Sequence, residues 1–196
     1  MYQSFKVITP PAVEPITTAQ AKAQMRVDIS DDDTLIERLI KAARVFVETN
    51  TRRGLIEQIV EIQLDEFPSD GALPLHVIAP LISVESVSYY DADDTDQTLA
   101  SSSYYVDDVR EPGAIYLAAG EFWPTTTARP DAVRVLVKIG YGATADTVPD
   151  DLVHAMFMLV AHWYENRETV VVGVTPAEVP FAVNALMGPY LRPECF

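Results

Sequence analysis

The chain has 196 residues, 48% of them hydrophobic, enough for a true core in one ordinary domain or in a domain carrying a large insertion. Its 29 acidic residues outnumber 14 basic ones for a formal net charge of −15, and the basic residues stand singly or in the one pair Arg52-Arg53, so the chain is not built to wrap nucleic acid. No apolar run approaches the roughly 20 residues of a membrane span, the stretch Met1 to Pro11 lacks the form of a signal peptide, and the lone Cys195 excludes an internal disulfide or a cysteine cage for metal; a cytosolic protein with no membrane association is expected.

Met1 to Pro15 is proline-rich and aperiodic and reads as an arm that stays loose or lies against a neighbour. Thr17 with Gln20 has the form of a capping box, Ile16 is placed to staple against Ala21, and together they predict a short helix over Thr18 to Val27. Ser30 and Asp33 repeat the pattern before Thr34. The second helix then runs to Arg53 on the stripe Leu35, Ile36, Leu39, Ile40, Ala43, Phe46 and Val47, and Arg52, Arg53 and Gly54 end it, cations at the negative pole and glycine as the left-handed cap.

From Leu55 the period changes to two. Val60, Ile62 and Leu64 alternate with Glu61, Gln63 and Asp65; Leu75 with Val77 suggests a short second strand, and Val84 to Tyr90 a third. Asp91 to Asp96 is an acidic turn. Further strands are expected at Tyr104–Val106, at Ala114–Leu117 and, most clearly, where Val133, Val135, Val137 and Ile139 alternate with Arg134, Leu136 and Lys138. Trp123-Pro124 lies in the loop before that strand, where an aromatic either covers a sheet edge or anchors an interface.

Val148-Pro149-Asp150-Asp151 opens a long helix to Glu168: proline suits the first turn and the two aspartates sit at the positive end of the dipole. Leu152, Met156, Leu159 and Trp163 form its core stripe, widened by Val153, Phe157, Val160 and Tyr164. Next, Val171, Val172 and Val174 belong either to a loop tucked on the core or to an edge or finger that pairs with another subunit or a partner. A last helix runs from about Pro180 to Met187 and ends at Gly188-Pro189. The fold class is therefore α+β: an antiparallel bundle of N- and C-terminal helices (1–54 and 143–196) with a β-rich insertion (55–142) between them.

The residues offer little chemistry. His76, His154 and His162 make no metal-binding pair, and Asp91–Asp96 lacks the glycine and distal glutamate of a calcium loop and reads as a solvated hairpin tip. Ser101-Ser102-Ser103 lacks a nucleophile-elbow context, and no glycine loop cradles phosphate. No catalytic, metal or cofactor site is expected.

Several stretches in order carry a resemblance: Ala21-Lys22-Ala23-Gln24-Met25-Arg26-Val27-Asp28, Asp32–Ile36, Ala42-Ala43, Glu48-Thr49 and Arg53-Gly54-Leu55-Ile56. Later come Phe122-Trp123-Pro124, Val133-Arg134-Val135 running into Gly140-Tyr141-Gly142, Val148–Leu152, His162–Glu168, Val179-Pro180 and Gly188-Pro189-Tyr190. The whole resembles the head–tail connector (adaptor) family of tailed phages, departing from it at Met25 and in the long Val171–Val179 segment.

The resemblance implies a structural protein without enzymatic activity or cofactor. Subunits would form a ring of twelve under the portal, at the capsid–tail junction of the virion after assembly in the host cytoplasm, and would extend the DNA channel toward stopper or tail-completion proteins. Genomic DNA would pass without specific binding, which an acidic lining favours. By analogy of position, Pro189, Tyr190, Leu191, Arg192, Pro193 and Phe196 would reach the portal, and Trp123, Val171, Val172 and Val174 a neighbouring subunit or the tail side. Two alternatives stand: a stopper or tail-completion protein of the same neck, and a free-standing α+β ligand-binding domain using His76 and the acidic turn.

Overall fold

A computed structural model describes residues 3–69, 71–75, 79–166 and 181–191. The elements are β1 (Gln3–Thr9), α1 (Thr18–Met25), α2 (Asp33–Thr51), β2 (Gln58–Leu64), β3 (Ala72–Pro74), β4 (Leu81–Tyr90), β5 (Asp96–Thr98), β6 (Tyr104–Asp107), β7 (Ala114–Leu117), β8 (Val133–Ile139), α3 (Asp150–Glu165) and α4 (Phe181–Met187). The class is α+β, with antiparallel sheets. Two compact units divide the chain: a β unit of Met1–Ala12 and Glu57–Tyr141, and a helical unit of Val13–Ile56 and Gly142–Phe196.

In the β unit, β1-β2-β8-β4-β5 form one antiparallel sheet and β3-β7-β6 a second. The alternation legible in β2 and β8 is the alternation of burial in both strands, and pairing sets Val60 against Val137, Ile62 against Val135 and Leu64 against Val133. Those six side chains join Val87 of β4 with Leu73, Tyr104 and Ile115 of the second sheet in one buried core. A one-residue slip would turn this whole set outward, which is why the register is firm. After β8 the chain leaves the sheet through Gly140 at φ +124°, a conformation open to glycine and costly for other residues.

The N-terminal arm departs from the sequence reading. Ser4 to Val7 alternate in period two, and β1 pairs with β2, setting Phe5 opposite Ile62 and Val7 opposite Val60. Proline density over Pro10–Pro15 hid a strand that precedes it. β5 was also missed, because three residues after an acidic turn carry no readable period. The short second strand is Ala72–Pro74; Leu75 lies just beyond it, and Val77 is outside the described residues.

In the helical unit, the Thr17–Gln20 capping box forms: Thr17 Oγ1 accepts from the Gln20 N–H at 3.2 Å, and Gln20 Oε1 accepts from the Thr17 N–H at 2.8 Å. It matters because α1 buries only Ala21. With so little apolar area to hide, α1 depends on its cap, a feature worth about 0.5–2 kcal/mol, and on the 2.7 Å ion pair from Lys22 Nζ to Asp33. By contrast α2 buries Ile36, Ile40, Ala43 and Val47, each large aliphatic contributing about 1.5–3 kcal/mol. Its end differs from expectation: Arg52 itself takes the left-handed conformation, φ 53°, so Gly54 is not the cap. α3 begins at Asp150, so Pro149 is its N-cap and not a first-turn residue, while Asp150 and Asp151 lie in the first turn as expected. α2 packs on α3, α1 on both, and α4 on α3.

Candidate interaction surfaces

The sequence-derived residues fall into distinct environments. Leu152, Met156 and Leu159 are fully buried in the helical unit, while Trp163 is half-buried and meets Phe46 of α2 edge-on, centroids 6.0 Å apart. Beside it, Tyr164 donates its hydroxyl proton to Asp32 Oδ2 at 2.6 Å. Asp32 thus ties the start of α2 to α3, and no cap hydrogen bond comes from its side chain.

A second tie braces the start of the helical unit. The Arg44 guanidinium donates from Nε to Glu14 and from Nη1 to Glu48, both at 2.8 Å, and Glu48 also accepts from the Leu55 N–H at 3.0 Å. One cation of α2 thereby holds the segment that precedes α1 and, through Glu48, the segment that leaves α2. Burial pushes the Glu48 carboxyl above its ordinary value, against the pull of the Leu55 N–H and of Arg44. None of this was readable before the fold, since Glu14 lies in a stretch without period.

At the C-terminal side, Pro189 and Leu191 are exposed. Tyr190 is held: Arg53 donates from Nε to its carbonyl at 3.0 Å, with the guanidinium 6.0 Å from the ring centroid. Partial burial, and then the Asp151 carboxylate that its hydroxyl meets, raise the Tyr190 phenol above its usual range. Arg192, Pro193 and Phe196 lie outside the described residues, as do Val171, Val172, Val174 and His76.

Trp123 stacks on Phe67 at 4.7 Å between centroids, and Phe67 meets Tyr89 at 5.7 Å. It therefore covers the β-unit core. Its neighbour Phe122 is the aromatic that projects, 84% exposed. Sequence identified the loop and not the outward residue, because neighbouring aromatics in an irregular segment give no facing.

The acidic turn is a hairpin tip. Asp91 Oδ1 accepts from the N–H groups of Asp93 and Thr95, and Oδ2 from the Gln97 side chain, all at 3.0 Å; these bonds, Thr95's first, lower its carboxyl below the usual range. Asp94 and Asp96 are paired with Arg129 at 3.0 Å and Arg134 at 2.6 Å, and both guanidiniums lie against the ring of Tyr90, at 4.0 and 4.7 Å. Carboxylates so engaged are not arranged around a cation, and among the described residues no group of three His, Cys, Asp or Glu could hold a metal. His154 is exposed and His162 half-buried. Among the described residues no helix is long and apolar enough to cross a membrane.

These features define an α+β structural module whose conspicuous chemistry is on its surfaces. The chain belongs to the head completion protein family, whose sequence model matches residues 14–176. Its role is accordingly a structural one, that of a connector or completion protein. No curated protein matches it in sequence. Among solved structures it is similar to a chain in the virion of a native gene transfer agent particle, with TM-score 0.78 and 21% identity over 98% of this chain and 97% of that one. It is also similar to a chain in the neck of an empty gene transfer agent particle computed with C6 symmetry, with TM-score 0.77 and 22% identity over 98% and 97%. A chain in the neck of the native particle computed with C12 symmetry gives TM-score 0.70 and 25% identity over 97% of each.

Proposed function

We propose that the protein is a ring-forming adaptor at the capsid–tail junction of a tailed phage or phage-like particle. Twelve subunits sit under the portal and extend the DNA channel toward the stopper or tail-completion proteins. The observation that carries this reading is the end-to-end likeness to a chain in a gene transfer agent neck computed with C12 symmetry, joined to membership of the head completion family. Charge supports it: a subunit of net charge −15 offers a duplex no grip, and the genome can slide through.

In this reading the helical unit makes the ring body, and the β unit, through the loop of Trp123, faces a neighbour or the tail side together with Val171, Val172 and Val174. The segment from Pro189 through Tyr190, Leu191, Arg192 and Pro193 to Phe196 reaches the portal. No enzymatic step, cofactor or metal enters. Assembly takes place in the host cytoplasm, and the finished location is the virion.

The test is the mass and negative-stain appearance of the purified protein, alone and mixed with the portal encoded near it. A twelvefold ring on the portal is the expected result; a protein that ignores the portal overturns the adaptor reading in favour of a stopper. Truncation should begin at Leu191, because removing Pro189 and Tyr190 would also break the tie to Arg53. The chain lacking residues 191–196 should keep its fold and lose portal binding.

A further inference from the structure

We propose that neighbouring subunits join through the solvent face of α2 on one copy and the solvent face of α3 on the next. The inference rests on the ring reading above and names the contact that reading leaves open.

At about 100° per residue, Arg38, Lys41 and Val45 share an arc of about 60° on α2, opposite its buried stripe, and Arg52 caps the helix just beyond them. All four are exposed, Val45 by 51%. Arg38 and Lys41 make no ion pair with a described carboxylate within 4.0 Å, unlike Lys22, Arg44, Arg110, Arg129, Arg134 and Lys138. Two carboxylates border this face, Glu37 and Glu48, the latter already paired with Arg44. In a chain carrying −15, a helix face with three cations is out of keeping with the rest.

α3 contains no lysine or arginine. On the same helical geometry Asp150, His154, Met158 and Glu165 occupy an arc of about 80° on its outer side; Asp150, His154 and Glu165 are exposed and Met158 is half-buried. Each face therefore places an apolar residue, Val45 or Met158, about midway between charges at its two ends. The charges are opposite in sign, and their spacings along the axes are nearly equal, about 21 and 22 Å at 1.5 Å per residue. An apolar centre inside a charged rim is the pattern of a protein–protein contact.

Topology supplies the remaining argument. α2 and α3 pack on one another within the helical unit, their buried stripes inward, so their solvent faces turn away from each other. A cyclic ring needs two different, complementary patches on opposite sides of a subunit, because its interfaces are heterologous. Copies that repel on average through −15 must meet where local charges attract. A DNA partner fits the α2 face less well, since a half-exposed valine stands among its three cations.

The experiment compares the full-length wild type with Arg38→Glu/Lys41→Glu, Asp150→Lys/Glu165→Lys, and the chain carrying all four substitutions, under conditions in which the wild type forms rings. Far-UV circular dichroism checks the fold and mass photometry counts rings. Either pair alone sets like charges across every interface and should lower the ring population by about tenfold or more. A 1:1 mixture of the two pair variants, or the fourfold variant, restores opposite charges and should restore rings. Folded pair variants that assemble like the wild type overturn the interface while leaving the ring reading intact; so does failure of both the mixture and the fourfold variant to recover. A wild type that forms no ring, alone or on the portal, overturns both. Binding of a 30-base-pair duplex by the wild type that Arg38→Glu/Lys41→Glu abolishes would reassign the α2 face to nucleic acid.

Discussion

Replacing Arg44 with methionine keeps the length of the side chain and removes the charge that Glu14 and Glu48 share. The Arg44, Glu14 and Glu48 side chains are 13%, 23% and 15% exposed, so the group lies near the buried limit. Breaking a buried pair by deleting one partner costs about 3–5 kcal/mol; the residual access to water brings the expectation to about 2–4 kcal/mol near neutral pH. The loss should depend on pH in a definite direction. Burial raises the folded-state pKa of Glu48 above its ordinary value of 4.5, so the penalty for ionising it grows as pH rises above 4.5 and is absent below. Without Arg44 that penalty deepens at neutral pH and still vanishes in acid. Urea denaturation of wild type and variant at pH 7.5 and pH 4 should therefore show a gap of about 2–4 kcal/mol closing to less than half. A gap that is the same at both pH values, or below about 1 kcal/mol at pH 7.5, would refute the idea that one cation braces this segment.

Other perturbations test the β unit. In Gly113→Ala the new Cβ would lie 2.7 Å from Leu81 Cδ2 and 3.2 Å from the Asp107 carbonyl, so a loss of about 1–3 kcal/mol is expected by thermal denaturation. Trp123→Ala removes the stack on Phe67 and should cost a similar amount, about 1–3 kcal/mol, whereas Phe122→Ala should leave stability within about 0.5 kcal/mol of the wild type. Asp91, its carboxyl lowered by accepted hydrogen bonds, supports the hairpin above its unfolded value of 3.8 and ceases to as pH falls through the lower folded value. Carboxyl titration by NMR should find Asp91 below 3.8, and an ordinary value would remove its assigned role in the turn.

The elements that bury a whole face could be read from sequence, because burial writes its period into the residues. Val133 to Ile139 and Ile36 to Val47 are of this kind, and β8 and α2 lie where the patterns put them. Thr17 and Gln20 were legible for another reason, since a capping box is local chemistry needing no partner from afar. What stayed hidden depends on distant partners. β1 is half-exposed on both faces and acquires its identity only by pairing with β2, while Glu14 and Asp32 gain their meaning from Arg44 and Tyr164. Trp123 was visible as a marked residue, but its direction was not, and Phe122 is the one that faces water. The opposed charge of the α2 and α3 faces was present in the residues all along; it becomes an observation once the buried stripes say which side of each helix remains.

The order β1-β2-β8-β4-β5 has a consequence for synthesis. The strand at the middle of the sheet is the last one made: β8 ends at Ile139, and until it leaves the ribosome β2 and β4 each lack the neighbour that satisfies their inner edges. The helical unit waits as well, since α2 is complete by Thr51 while α3 begins at Asp150. A nascent chain of this protein therefore carries two half-built cores at once, with apolar β2 and α2 both uncovered, and closes them in quick succession. Chaperone dependence and loss to aggregation during expression should concentrate in that interval.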